Sequence, residues 1–379
     1  MLKRCEKRKD EMNSKIFGWM WAPLFVAVAS AEPTTRPGRV VNSPEVSADH
    51  KVTFRIVAAK AADVSVGGDF GAGQKLTKGE EGLWSVTVGP LTPDLYSYSF
   101  TIDGVKTIDS RNPNTKPGIA GLDNTVFVAG DESKFEDNLP VPHGQIRQVW
   151  YQSRTLQMQR RMHVYTPPGY DGTAERFPVL YLLHGGGDED AGWSTIGRAG
   201  FILDNLIATG KARPMIVVMP NGSIPRPAGG REPMPDRFTD ELLKEVIPQV
   251  EQNFKVIADP EHRALAGLSM GGGQTLRAVT ANPEMFAYVG VWSAGIGNNA
   301  GDWEQRNQKF LDSTEQLNKS IRLFSISVGD KDFTMAGSKS LDEILSKYKI
   351  KHELHISGGG HTWINWRHYL NELGPRLFQ

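Results

Sequence analysis

One short segment constrains the fold of this chain more than any other: residues 262–283, HRALAGLSMGGGQTLRAVTANP. An apolar run typical of a buried strand leads into Ser269, and a run with helical spacing begins directly after it. Gly267 and Gly271 flank the serine in a G-x-S-x-G pattern, and side chains at these two positions would collide across so sharp a turn. The turn would hold the serine hydroxyl at a helix N-terminus that favours developing negative charge. The segment therefore predicts a nucleophile elbow.

A nucleophilic serine needs a base and a group that orients the base, and candidates for both follow Ser269 along the chain. The apolar run RLFSISVG leads into DKDF, which contains Asp330 and Asp332. The run HELHIS leads into GGGHTW, which contains His361. In hydrolases of this architecture the acid and the histidine follow the serine on loops after later strands. We therefore predict a triad of Ser269, His361 and one of the two aspartates.

The other histidines after the serine have simpler explanations. His352 and His355 fall within a strand pattern, where the rings would point into packing layers. His368 falls within WRHYLNEL, a segment with helical spacing, and is interpreted as a surface or packing residue. His361 alone follows a glycine run at the end of a strand pattern, so it is the predicted base.

Two backbone N–H groups are expected to hold the negative charge that develops on the substrate oxygen. Met270, directly after the nucleophile, supplies one of them. The run PVLYLLHGGGDED supplies the other, because a strand pattern there ends in His184 and the glycines 185–187, where the backbone can approach a carbonyl closely. His184 itself is expected to brace this loop.

The chain divides into regions with different patterns. Residues 34–130 contain short alternating runs separated by Gly, Pro, Asn and Asp, which predicts a small antiparallel β-sandwich. Residues 131–143 are polar, contain proline and lack periodicity, so we interpret them as a linker. Over residues 144–379, continuous apolar runs alternate with helical segments such as TDELLKEVIPQVEQNF, which predicts a parallel sheet covered on both faces.

Residues 1–31 have the pattern of a secretory signal peptide: basic residues, the apolar run IFGWMWAPLFVAVA and a small-residue cleavage site, ASA. A membrane anchor is disfavoured because the run is short and contains Pro23. Cleavage would remove Cys5, the only cysteine, so no disulfide or thiol chemistry is expected. Lys+Arg and Asp+Glu both total 43, which does not indicate a nucleic-acid or acidic-lipid partner and suits a polysaccharide. We expect a secreted or periplasmic protein without membrane association after cleavage.

The motifs over residues 143–379 resemble those of one known group. The matching stretches, in order and with normal spacing, are HGQIRQVWYQSRTLQMQRRMHVYTPPGYD, RFPVLYLLHGGGDEDAGW, RALAGLSMGGGQTL, FAYVGVWSAGI, SVGDKDF and GGGHTW. They resemble the esterase-D-like branch of the α/β-hydrolases, above all the bacterial feruloyl and acetyl-xylan esterases of the first carbohydrate-esterase family. The resemblance implies an α/β-hydrolase with a mostly parallel central sheet and serine esterase activity.

The same resemblance implies which residue is the acid of the triad and which is the second oxyanion donor. The family's acid is the last residue of a G-x-x-D stretch, here GDKD, which implies Asp332 rather than Asp330. The family's second oxyanion donor follows a His-Gly pair, which implies Gly186, with Gly185 as the neighbouring alternative.

The N-terminal stretch GLWSVTVGPLTPDLYSYSFTIDG resembles the immunoglobulin-like, glycogen-binding-type modules fused to some of these esterases. Related modules stack glycans on exposed tryptophans. Trp84 is the only tryptophan between the predicted signal peptide and the linker, and its alternating strand pattern predicts a core position. The domain is therefore expected to pack on the esterase and to shape one wall of its cleft.

These observations predict hydrolysis through an acyl-enzyme, without a metal or an organic cofactor. The resemblance implies feruloylated plant cell-wall xylan or its oligosaccharides as the substrate, and aromatic walls around the site would suit its hydroxycinnamoyl ring. Trp193, Trp292 and Trp363 are predicted to lie in loops around the site and to contact it. Acetyl-xylan or another short-acyl ester is the first alternative, and an enterochelin-type siderophore ester is the second. A glycan-binding protein with an inactive hydrolase half is disfavoured by the intact triad.

Overall fold

A computed structural model describes residues 41–224, 236–297 and 300–379. The predicted signal peptide, residues 1–31, lies outside these ranges. Within them, no helix has both the length and the apolar character needed to cross a membrane. Residues from Val41 to Gln379 cluster into one unit.

The N-terminal strands form two antiparallel sheets. In chain order they are β1 (Glu45–Val46), β2 (Val52–Val57), β3 (Val64–Gly68), β4 (Gly71–Lys75), β5 (Thr77–Lys78), β6 (Leu83–Val88), β7 (Asp94–Ile102), β8 (Val105–Thr107), β9 (Thr115–Gly118) and β10 (Gly121–Val128). One sheet has the order β1–β2–β6–β5, and the other has the order β4–β3–β7–β10–β9 with β8 paired to β7. Phe54, Tyr98 and Phe100 share one core cluster with Trp84. Trp84 is buried, which confirms its predicted core position.

A third, larger sheet carries the rest of the fold. Its strands are β11 (Gln145–Ser153), β12 (Met158–Thr166), β13 (Val179–Leu183), β14 (Ile216–Pro220), β15 (Arg263–Leu268), β16 (Tyr288–Trp292), β17 (Leu323–Gly329) and β18 (Glu353–Ser357). Their order in the sheet is β11–β12–β14–β13–β15–β16–β17–β18. Strand β12 pairs antiparallel with β11 and β14, and the pairs from β14 to β18 are parallel.

Helices cover both faces of this sheet. They are α1 (Ala199–Ala208), α2 (Arg237–Glu241), α3 (Ile247–Asn253), α4 (Met270–Ala281), α5 (Ala300–Arg306), α6 (Gln308–Leu311), α7 (Thr314–Ser320), α8 (Met335–Lys347) and α9 (Trp363–Leu373). Leu265 of β15 shares a core cluster with Leu276 of α4, whereas Ala266 shares another with Tyr369 of α9. Because successive residues of a strand point to opposite faces, the two clusters lie on opposite sides of the sheet.

The loops that carry the predicted site residues leave this sheet at one edge. Strand β13 is followed by the glycines 185–187, β15 by Ser269, β17 by the loop with Asp332 and β18 by the loop with His361. The carboxyl ends of parallel strands share an edge, which is where open α/β sheets bind their ligands. The topology therefore brings residues from distant parts of the sequence to one place.

The segment predicted as a linker, residues 131–143, is anchored to the larger sheet's helices. It contains a short 3-10 turn, Lys134–Glu136, and the Glu136 side chain is fully buried. The Nε atom of Arg367, in α9, lies 2.5 Å from a carboxylate oxygen of Glu136. The same guanidinium group contacts the carboxylate of Asp94 at the start of β7. This buried cluster ties the N-terminal strands to the segment and to α9.

Candidate active site

Ser269 occupies a strained turn between β15 and α4. Its φ of 51° and ψ of −114° lie where residues other than glycine are uncommon. A Cβ atom on Gly267 would lie 2.5 Å from the backbone carbon of Gly271, and one on Gly271 would lie 2.6 Å from the carbonyl oxygen of His184. The predicted reason for the two glycines is thus confirmed: the chain passes too close to itself for side chains.

The structure joins Ser269, His361 and Asp332 in one hydrogen-bonded chain. The Nε2 atom of His361 lies 2.9 Å from Oγ of Ser269, and Nδ1 lies 3.0 Å from each carboxylate oxygen of Asp332. An ionised carboxylate only accepts hydrogen bonds, so Nδ1 carries the proton in this contact. Nε2 of the neutral ring is then free to accept the serine proton.

Asp332 lies in surroundings that keep it ionised. Burial alone would raise its pKa, but hydrogen bonds from His361 and from the N–H and hydroxyl of Thr334 outweigh burial and lower the pKa from 3.8 to about 2. A permanent negative charge beside Nδ1 fixes the orientation of the ring and stabilises its protonated form.

Asp330 has a different task from Asp332. Its carboxylate accepts the N–H of Gly359 at 2.9 Å, and the N–H of Lys331 donates to the carbonyl of Gly359 at 2.9 Å. These bonds fasten the loop after β17 to the loop that carries His361. The geometry selects Asp332 as the partner of the imidazole and leaves Asp330 as a brace.

The other three histidines that follow Ser269 contact other groups. His352 pairs with Asp342, and His355, which is exposed rather than packed within a layer, pairs with Glu372. The ring of His368 packs on Phe135, with 4.6 Å between ring centroids.

The glycines after β13 form a tight turn beside the elbow. The N–H of Asp188 donates to the carbonyl of Gly185 at 3.3 Å, and Gly187 has a φ of 91°, as the third residue of a type II turn requires. A Cβ atom on Gly186 would lie 4.0 Å from Cβ of Met270. Gly186 and Met270, the two predicted oxyanion donors, are therefore neighbours in space. Gly185 is buried.

His184 braces this turn from below. The N–H of Gly222 donates to its Nε2 atom at 2.8 Å, so Nδ1 carries the proton and donates to the carbonyl of Gly185, also at 2.8 Å. Burial lowers the pKa of His184 and keeps the ring neutral. The structure thus places His184 as the brace that the sequence predicted, with both ring nitrogens in use.

An open cleft of about 570 Å³ borders the turn and the elbow. Its lining residues are Ile119, Gly186, Gly187, Gly222, Ser223, Ile224, Asp236, Arg237, Phe238, Met270, Gln274 and Arg277. Nε of Arg277 donates to Asp236 at 3.1 Å, and Arg237 donates to the carbonyl of Thr155. Both arginines therefore have partners within the protein.

The predicted contacts of three tryptophans with substrate are wrong. Trp193 and Trp292 are fully buried and Trp363 is 4% exposed. The ring of Trp193 lies 5.7 Å from that of Trp292 and 5.0 Å from that of Trp363, and its N–H donates to the carbonyl of Leu183 at 3.0 Å. The three rings pack beneath the loops, between the sheet and α9, because their large apolar surfaces are more stable there than in solvent.

Two exposed apolar residues of the site were missed. Phe333 is 79% exposed, and its ring centroid lies 4.3 Å from that of His361. Its position directly after Asp332, in an otherwise polar loop, was a signal that could have been used. Ile119 is 65% exposed and reaches the cleft from the N-terminal sheet. Nothing local in the sequence indicates this second contact, because its partners lie far along the chain.

Solved structures that superpose on this chain include ester hydrolases. A ferulic acid esterase superposes with a TM-score of 0.55 and 26% identity, over 62% of this chain and 98% of its own. The enterobactin esterase of Shigella flexneri superposes with a TM-score of 0.64 over 87% of this chain and 93% of its own, and at 19% identity this likeness concerns the fold alone. The molecule is an α/β-hydrolase, and its class is that of the carboxylic ester hydrolases.

The sequence places the chain within that class. The Esterase family model matches residues 153–377, more than half of the chain, and the chain belongs to this family. An endo-1,4-beta-xylanase/feruloyl esterase from Xylanibacter ruminicola is 32% identical over 356 residues, which cover 92% of this chain and 47% of that protein. The chain spans about half the length, or less, of the curated relatives that it matches.

Proposed function

We propose that this protein is a feruloyl esterase, which hydrolyses the esters that join ferulate or related hydroxycinnamates to plant cell-wall xylan or its oligosaccharides. The observation that carries the proposal is the hydrogen-bonded chain from Ser269 through His361 to Asp332, beside a cleft wide enough for an aromatic acyl group. The names of two similar proteins, a xylanase/feruloyl esterase and a ferulic acid esterase, support this choice of substrate.

The proposed reaction proceeds through an acyl-enzyme. His361 accepts the proton of Ser269 while Oγ attacks the ester carbonyl, and the N–H groups of Met270 and Gly186 hold the charge on the carbonyl oxygen. The protonated ring, stabilised by Asp332, then donates its proton to the leaving oxygen of the sugar. Water repeats both steps and releases the acid.

The cleft favours a hydroxycinnamoyl group over an acetyl group. Its volume of about 570 Å³ is far larger than a two-carbon acyl group can fill. Ile119 and Met270, which keep exposed surface, offer apolar contacts to an aromatic ring, and Ser223 offers a hydroxyl to the ring substituents. An acetyl ester would leave most of this surface in contact with water.

The side of the site on which His361 lies suits a sugar as the leaving alcohol. A general acid must lie beside the oxygen that it protonates, so the alcohol occupies the side of Ser269 on which His361 stands. Phe333 lies on that side with its ring 4.3 Å from the imidazole, and most of its surface is open to solvent. An exposed aromatic face at this place is a platform for one face of a sugar ring.

The siderophore alternative rests on the fold shared with the enterobactin esterase of Shigella flexneri. A highly charged ferric catecholate would require uncompensated positive charge in the cleft. Arg277 is paired with Asp236, and Arg237 is held by a backbone carbonyl. The described lining of the cleft therefore offers at most one uncompensated positive charge, on Arg237, which favours a neutral ester over a highly charged one.

Two further features belong to this proposal. The strands of the N-terminal region are proposed to form an immunoglobulin-like, carbohydrate-binding-module-like sandwich that packs on the esterase, with the buried Trp84 in its core rather than on a glycan platform. Residues 1–31 are proposed to direct secretion and to be cleaved before Glu32. N-terminal sequencing of the protein recovered from the periplasm or the medium tests the second feature.

The decisive experiment is a product assay on feruloylated arabinoxylan oligosaccharides, with acetylated xylan oligosaccharides and ferric enterobactin as competing substrates. We expect ferulate release by the wild type, loss of release in Ser269→Ala, and labelling of the wild type but not of the variant by a fluorophosphonate probe. Full activity of Ser269→Ala would contradict the mechanism. Faster turnover of the acetate or the siderophore ester than of the ferulate would instead select one of the alternatives.

A further inference from the structure

The hairpin β9–β10 of the N-terminal sheet reaches the turn that carries Gly186. Its two-residue loop, Ile119–Ala120, is closed by the pairing of Gly118 with Gly121. The N–H of Ile119 donates to the carbonyl of Gly187 at 3.0 Å. A residue of the N-terminal sheet thus holds the middle of the turn proposed to supply an oxyanion donor.

A second bond fastens the hairpin to the next residue of the same turn. Nζ of Lys116 lies 3.0 Å from a carboxylate oxygen of Asp188, and the two side chains are only 19% and 6% exposed. Shielding from water strengthens such a pair relative to an ion pair on the open surface. The hairpin therefore contacts two successive residues of the turn, one through its backbone and one through a partly buried charge pair.

The approach is too close for a side chain between the two segments. A Cβ atom on Gly118 would lie 2.8 Å from the carbonyl oxygen of Gly187, closer than such contacts allow without a shift of one backbone. This glycine is therefore required by the contact itself.

The side chain of Ile119 points into the cleft that the proposed mechanism assigns to the acyl group. It lines the cleft together with Gly186 and Met270, the proposed oxyanion donors, and remains 65% exposed. A large apolar side chain left this exposed at a hairpin tip contributes little to the core. In the described part of the chain it faces the open cleft, where an acyl group would contact it.

We propose that the hairpin 116–121 is part of the ester site. Lys116 and the N–H of Ile119 are positioning groups that fix the turn bearing Gly186, and the side chain of Ile119 contacts the acyl group and sets the preference for large acyl groups over small ones. This inference rests on the proposed function, because it assigns the acyl group to this cleft.

The selectivity is tested with Ile119→Ala on a series of esters: 4-nitrophenyl acetate, 4-nitrophenyl butyrate and methyl ferulate. We expect the ratio of kcat/KM for the larger acyl groups to that for acetate to fall about three- to tenfold, less than for a fully enclosed contact because Ile119 is only partly covered. Val105→Ala, which trims a similarly exposed residue of the same sheet, should leave the ratio unchanged.

The positioning role is tested with Lys116→Gln and Gly118→Ala on 4-nitrophenyl acetate. We expect kcat to fall about tenfold with little change in KM. A displaced oxyanion donor stabilises the transition state less well, whereas it affects binding of the ground state little. Lys116→Arg should restore most of kcat. The matched controls are Lys106→Gln, which breaks an exposed ion pair of the same sheet, and Gly73→Ala, where a Cβ meets nothing closer than 3.7 Å.

The outcomes separate this inference from the proposed function. A wild type that hydrolyses none of the esters overturns the proposed function and this inference with it. An active wild type whose acyl preference is unmoved by Ile119→Ala, or whose kcat responds to Lys116→Gln no more than to Lys106→Gln, overturns the inference alone. Thermal unfolding of each variant is measured alongside, and a change in kcat that merely follows the fraction unfolded also overturns the positioning role.

Discussion

Nδ1 of His361 lies 3.0 Å from both carboxylate oxygens of Asp332, whose side chain is completely shielded from solvent. A separate hydrogen bond, from the N–H of Gly359 to Asp330, holds the loop after β17 to the loop after β18. The two loops therefore do not depend on the contact between His361 and Asp332 to stay together. Orientation of the imidazole and stabilisation of its protonated form are therefore the specific contributions of Asp332.

The first prediction concerns this division of labour. Asp332→Asn should lower kcat about 10³- to 10⁴-fold, because an amide no longer fixes the required tautomer or stabilises the protonated ring. Asp330→Asn should cost less than about tenfold, since it alters only a brace. Steady-state kinetics on methyl ferulate compare the two variants. Equal losses at both positions would mean that the triad has been assigned incorrectly.

The second prediction concerns acid stability. Folding lowers the pKa of Asp332 from 3.8, the value for an unperturbed group, to about 2. Because the pKa is lower in the folded than in the unfolded protein, ionisation of Asp332 stabilises the folded state when the pH is above 3.8, its unfolded pKa. This stabilisation is lost as the pH falls from 3.8 towards 2. The difference in the free energy of unfolding between the wild type and Asp332→Asn should therefore shrink between about pH 5 and about pH 2.5, as measured with urea. A difference that stays constant would contradict the lowered pKa.

The third prediction tests whether Trp193 is a core residue rather than a substrate contact. Trp193→Ala should lower the free energy of unfolding by about 3–5 kcal/mol, because the deleted indole leaves a cavity among buried rings. Trp150→Ala, at a side chain that is 56% exposed, should cost less than about 1 kcal/mol. Urea unfolding followed by circular dichroism measures both. If Trp193→Ala is as stable as the wild type and changes the acyl preference, Trp193 contacts substrate and its assignment to the core is wrong.

The elbow and the order of the site residues could be predicted because they depend on local patterns and on one property of parallel sheets. Gly267 and Gly271 mark the turn whatever the rest of the chain does, and His361 follows a strand that must end at the same edge as Ser269. A choice between Asp330 and Asp332 from the residues alone was not possible, since both lie in one loop. The G-x-x-D stretch of the resembling family implied Asp332, and the coordinates confirm that this carboxylate faces the ring.

Burial of aromatic residues could not be predicted from their positions at strand ends. Trp292 closes β16 and is fully buried, whereas Phe333 lies in the loop after β17 and is largely exposed. The difference depends on α9, which packs over the tryptophan and leaves Phe333 uncovered. Ile119 was missed for a related reason: its contact with Gly187 forms only when two separate sheets pack together.

The fourth prediction concerns Phe333. Phe333→Ala should raise KM for a feruloylated oligosaccharide about two- to tenfold, the effect of one lost aromatic contact, and should change KM for methyl ferulate much less. The methyl ester has no sugar to lie on the ring. Ile356→Ala, an exposed position on neighbouring β18, is the control and should alter neither value. Parallel increases in KM for both esters would place Phe333 on the acyl side instead.

The last prediction concerns His184, which lies close enough to the elbow to be mistaken for a second base. Both ring nitrogens are occupied, by the N–H of Gly222 and by the carbonyl of Gly185, so the ring has no free position from which to accept a proton. His184→Ala should lower the free energy of unfolding by about 1–3 kcal/mol, because the N–H of Gly222 loses its buried acceptor.

Activity should respond to the same substitution only through the geometry of the turn. We expect kcat of His184→Ala to fall about tenfold at nearly constant KM, since the turn before Gly186 loses one of its supports. His355→Ala, at an exposed histidine, provides the matched control for removal of an imidazole. A loss as deep as that of Ser269→Ala would show proton transfer by His184, because removal of a brace leaves Ser269, His361 and Asp332 in place and able to react.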